Sequence, residues 1–195
     1  MPPLDLPEHA HQLRDLAKEF EALHTRVRNA AYTPGSDALR QLGPLLLAVQ
    51  DLTATALVRL RALDASEYPR IAGSRSSLEC LSSVLVTSAL AGNDLAHALY
   101  ANPYEGTPHG PVNCEAEEES VRTARHAEAI PQMTGFLGTA AEHLDLCATG
   151  CRYVAAGILD DLAAAPGPTA RPATATASTT AAAAPQSPVS PGVHR

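Results

Sequence analysis

The chain has no tryptophan and only two phenylalanines and two methionines among its 195 residues. Its core must therefore come from leucine, valine and alanine, which permit close packing but bury little area apiece. Lysine is nearly missing as well: Lys18 is the only one, and every other basic side chain is arginine. Acidic residues outnumber basic ones and the formal net charge is −7. Arg171 and Arg195 are the charged groups of the last thirty residues, so the rest of the chain carries −9. An acidic body repels phosphate backbones, which argues against nucleic acid as a partner.

No stretch holds the roughly 18 uninterrupted apolar residues that a membrane span requires. The richest, Leu45 to Val58, is broken by Gln50, Asp51, Thr53 and Thr55. The opening Met1-Pro2-Pro3-Leu4-Asp5 lacks a basic stretch leading into an apolar one, so no secretory signal is expected and the location expected is cytoplasmic. Four cysteines in a chain this long do not make a disulfide framework, and a reducing compartment would keep them as thiols. No glycine-rich phosphate loop ends in a lysine, no Gly-x-Ser-x-Gly elbow occurs, and no internal repeat is visible.

What the sequence does have is periodicity. Leu13, Leu16, Phe20, Leu23, Val27 and Ala30 recur at alternating steps of three and four, in phase with Leu6, which predicts a helix with one apolar stripe. It should start near Pro7 with Asp5 or Leu6 as cap, and run to about Tyr32, where Thr33-Pro34-Gly35 turns the chain. Ser36 and Asp37 then cap a second helix with the stripe Leu39, Leu42, Leu46, Val49, Thr53, Ala56, Leu60 and Leu63, kinked at Pro44. Leu45, Leu47, Leu52 and Leu57 widen that face, which marks this helix as the most buried. Residues 64–73 read as a loop, and a third helix follows from Ser74 on Leu78, Leu81, Leu85, Ser88, Gly92, Leu95 and Leu99 until Asn102-Pro103 stops it. Ser88 and Gly92 are small enough to let a neighbour approach closely. After a turn-rich loop through Gly106, Pro108, Gly110 and Pro111, Asn113 caps a last segment whose Glu115, Glu117, Glu118 and Glu119 suit the positive end of a helix dipole. Pro131 breaks or bends it before the strongest register of all: Met133, Leu137, Ala140, Leu144, Cys147, Cys151, Val154 and Ile158.

The expected fold class is all-α, an antiparallel four-helix bundle with heptad-like packing over residues 1–165. Residues 166–195 collapse to Ala, Pro, Thr and Ser and are expected to form a disordered tail.

No motif names a chemistry, and the candidates are few. His143, Cys147 and Cys151 stand four apart along one helix, so two of them could share a soft metal ion with a ligand from the third helix, Cys80 or His97. Against this, both cysteines fall on the apolar seam, where a thiol behaves as a small hydrophobe, and ligands at i and i+8 lie about 12 Å apart, too far for one ion. A di-iron bundle needs two Glu-x-x-His pairs, and only Asp94-x-x-His97 approximates one. The segment His126-Ala127-Glu128-Ala129-Ile130-Pro131 resembles, over six residues, the phosphoacceptor segment of sensor histidine kinases. It places its acid two positions after the histidine rather than next to it, and no glycine-rich ATP-binding segment follows. The sequence therefore favours a module without catalysis or cofactor that binds itself or a protein partner. A metal-dependent bundle enzyme built on the histidines and cysteines of helices three and four is the alternative. Extra apolar residues beside the seams, Leu45, Leu52, Val84, Val86 and Leu90, are expected to form the uncovered patch such a module would use.

Overall fold

A computed structural model describes residues 5–106 and 115–165. Among them lie four α-helices that pack against one another, α1 (Leu6–Arg28), α2 (Ser36–Asp64), α3 (Ser74–Tyr100) and α4 (Glu115–Ala164), one 3-10 turn at Tyr68–Arg70, and no strand. The expectations for residues 107–114 and 166–195 (the Asn113 cap, most of the turn-rich loop and the C-terminal tail) fall outside the described residues.

Asp5 caps α1 by accepting from the Glu8 backbone N–H at 3.2 Å, with Pro7 in the first turn. The helix ends at Arg28 with Asn29 as C-cap, one turn short of the expected Tyr32. Proline disfavours helical geometry in the residue before it, so the approach to Pro34 is released early. The second helix is not capped by the Ser36 or Asp37 side chain: its N-cap is Gly35, at φ +105°, with no side-chain bond. The cap position is held from elsewhere. Asn102 accepts from the Gly35 N–H at 2.8 Å and donates to the Gly35 carbonyl at 2.9 Å, tying the α1–α2 turn to the end of α3.

Both prolines expected to disturb helices are carried inside them. α2 continues through Pro44, and α4 continues through Pro131 as a single helix of 50 residues, so Pro131 does not break it. Nor are residues 64–73 a plain loop. Tyr68 opens a 3-10 turn there with its ring buried, and Gly73, at φ +96°, starts α3.

The core is one continuous cluster drawn from all four helices. The α4 register is seated as the spacing requires, with Met133, Leu137, Ala140, Leu144, Cys147, Cys151, Val154 and Ile158 all buried. α4 packs chiefly against α1 and α3, whereas α2 packs mainly against α3. The expectation that α2 is the most buried helix is therefore wrong. Its inward stripe runs through Ala38, Leu42, Leu45, Val49, Leu52, Ala56 and Leu63, while Leu39 lies outside and Leu46, Thr53 and Leu60 are half-buried. With apolar residues around most of its circumference, periodicity alone cannot say which stripe faces in. Length and composition would let α2 cross a membrane, and 22 % of its apolar window is buried.

Gly92 lets α2 come close to α3, since a Cβ there would stand 2.9 Å from Gln50 Nε2 and 3.5 Å from Val49 Cγ1. One turn earlier Ser88 and Thr53 share a hydroxyl hydrogen bond of 2.8 Å, and Thr53 also donates to the Val49 carbonyl.

Candidate functional site

The five side chains singled out for metal chemistry do not form a metal site among the described residues. Cys147 and Cys151 are buried thiols on the α4 seam, and Cys147 Sγ donates to the Val84 carbonyl of α3 at 3.6 Å. Burial pushes both thiols up to about 12, with the neighbouring cysteines adding to the effect at Cys151. At neutral pH they are protonated and poor metal ligands or nucleophiles. Cys80, half-buried on α3, donates to the Gly150 carbonyl at 3.8 Å, and burial raises its pKa too. His97 stacks on Phe136 with ring centroids 5.2 Å apart. Among the described residues no group of three or more His, Cys, Asp or Glu is placed to hold a metal ion.

His143 does find a polar partner. Its Nδ1 lies 2.9 Å from Asp94 Oδ2, joining α4 to α3 in a half-buried pair with side-chain exposures of 23 % and 15 %. A carboxylate can only accept, so Nδ1 carries the hydrogen of this bond. Asp94 is thus committed to His143 rather than to the Asp-x-x-His pattern with His97. The pair orients an imidazole but has no hydroxyl or thiol nucleophile bonded to it. Its contribution is a polar link between two helices. His126 of the kinase-like segment is half-buried with Nε2 unpartnered, near Gly35 and Glu105.

The uncovered apolar surface is real in part and displaced in part. Leu45, Leu52 and Val84, expected to be exposed, are buried in the core, which overturns that half of the patch. Val86 and Leu90 are exposed on α3. A larger exposed set lies on α2: Leu39, Leu47 and Leu57, which the sequence reading had assigned to the buried face, and Val58, with Leu47 at 67 % and Val58 at 60 % exposure. At about 100° per residue, Leu39 and Leu57 share one line along the helix and Leu47 and Val58 another, roughly 90° away. Gly43 and Ala54 fall between the two lines. Gln50 and Arg61 fall between the lines as well, Arg40 stands on the Leu47–Val58 line, and Asp51 lies just outside it.

An open cleft of about 400 Å³ lies beside the α1–α2 turn, lined among others by Arg26, Asn29, Gln41 and Leu45. It holds one guanidinium and no acid–base pair. Compared with protein-family models, with curated proteins and with solved structures, the chain matches none.

Proposed function

We propose that this chain is a helical interaction module without catalytic chemistry, which binds a second copy of itself or a protein partner through the outer face of α2. The observation that carries the reading is the exposed strip of Leu39, Leu47, Leu57 and Val58, which runs for about 30 Å along one helix at 1.5 Å per residue. Contiguous apolar strips of that length are uncommon on monomers and usually mark interfaces. The simplest occupant is a second copy, because two such strips are matched in length and polarity.

The same reading includes an antiparallel up-down-up-down four-helix bundle. In support, Gly35 meets Asn102 while Thr53 meets Ser88, and Cys80 meets Gly150 while His97 meets Phe136. In each pair of helices, rising numbers on one run against falling numbers on the other. His24 Nδ1 on the Ala141 carbonyl at 2.9 Å and Tyr32 Oη on Thr134 at 3.0 Å run in the same sense for α1 and α4. With that order the outer side of α2 is left open.

The test is a photoreactive residue placed at position 47, compared with one at the exposed position of Asn93 on α3. The interaction reading expects a discrete cross-linked product from position 47 alone. Equal, diffuse labelling from both positions would reject it. Flotation with phosphatidylcholine vesicles separates a bilayer partner, and the charges of Arg40 and Arg61 within the strip and of Asp51 at its edge lead us to expect no binding.

A further inference from the structure

Near the start of α1 a histidine is enclosed where its charged form cannot be accommodated. His9 is 2 % exposed, and among the described residues its Nε2 has no hydrogen-bond partner and the buried Nε of Arg59 on α2 has none either. The Arg59 backbone bears on the ring in the one sense that favours a proton. We propose that His9 and Arg59 form an acid-sensitive latch, which holds the first turns of α1 against α2 at neutral pH and releases them when the ring takes a second proton.

The geometry makes the latch work in that direction. The cation carries a hydrogen on both nitrogens, so Nε2 would become a buried N–H with no acceptor, and the positive charge of Arg59 opposes that of the ring. His9 also sits one turn inside the helix N-terminus, whose partial positive charge opposes a cation. Burial, and after it Arg59, hold the ring below its ordinary value of 6.5. The acids within reach along α1 are committed elsewhere: Asp5 accepts from the Glu8 N–H, Glu8 from Gln12, and Asp15 from Lys18. On α4 Asp160 is exposed and Asp161 is bonded to Tyr68. On α2, Arg59 is the charged group that bears on the ring.

The sign follows from the lowered value. Above pH 6.5 the ring is neutral in the closed and the released state alike, and the latch is fully effective. Below it the released state binds the proton and the closed state does not, so each further pH unit favours release by about tenfold until the lowered value is passed. Release would uncover Leu13, Leu16 and Ala17, which are buried in the closed state.

The experiment is hydrogen exchange of the full chain at pH 7.5 and 5.5, corrected for intrinsic rates, on wild type and His9→Leu. Wild-type amides of the first three turns of α1 should lose protection at the lower pH, by up to about tenfold, and His9→Leu should lose none. An unchanged loss in His9→Leu would overturn the latch. Should that variant not fold, a proton NMR titration of the wild-type His9 ring decides. Protonation that coincides with loss of α1 protection supports the latch, and protonation at the ordinary value with α1 still protected rejects it.

Discussion

The Tyr68 hydroxyl donates to Asp161 Oδ2 at 2.6 Å, joining the α2–α3 connection to the last turn of α4 across 93 positions of sequence. The ring is fully buried, so the bond closes off the one polar atom of the largest buried side chain. Tyr68→Phe keeps the packing and removes a bond to a charged acceptor, and should cost about 1.5–3 kcal/mol in denaturant unfolding. Burial first, and the Asp161 carboxylate second, push the tyrosine up from 10.0 to about 12. Its neutral form is therefore favoured by the fold. That stability is complete below pH 10 and is lost as pH rises towards 12. Alkaline unfolding should be steeper in that window for wild type than for Tyr68→Phe.

Asn102 offers a sharper test of how the helices are tied. Both its amide atoms are used on the Gly35 backbone, at 2.8 and 2.9 Å, in a buried setting. Asn102→Ala would leave an N–H and a carbonyl unpaired there, and should destabilise by about 2–4 kcal/mol. Gly73→Ala should destabilise by about 2–3 kcal/mol, because φ +96° is strained for alanine and its Cβ would overlap Asp161 Oδ1. Thermal melts of the two single variants check both values.

The cysteines should prove structural. Cys147→Ala and Cys151→Ala each remove a buried sulfur from the seam and should cost about 1 kcal/mol without abolishing association. With both thiols held at about 12, neither should react with a thiol reagent in the native state on the timescale of a free cysteine. Of the three described cysteines, half-buried Cys80 should react first. Fast labelling of Cys147 would refute the seam assignment.

Much of the helical content was legible because one-sided stripes leave little choice. Every position of the α4 register from Met133 to Ile158 is buried, and Asp5 and Pro7 open α1 as their chemistry suggests. α2 was misread for the opposite reason: Leu39, Leu42, Leu45, Leu46, Leu47, Leu52 and Leu57 offer several stripes of similar strength, and only the neighbouring helices choose between them. Leu45 and Leu52 went inward, and Leu39, Leu47 and Leu57 were left out. The pairings of Asn102 with Gly35, His143 with Asp94 and Tyr68 with Asp161 carry no local signal, since their partners lie 67, 49 and 93 positions away. Asn102 was readable as a helix stop, and its second task depends on where the α1–α2 turn lands.

Self-association through α2 is read by light scattering of the full chain over a dilution series in the micromolar range. The full chain should scatter with twice its 20.3 kDa mass. Leu47→Asp with Val58→Asp should return it to 20.3 kDa with helix content and melting temperature unchanged, because both side chains point away from the core. A wild-type mass of 20.3 kDa at every concentration, with the two substitutions changing neither mass nor solubility, would contradict the account.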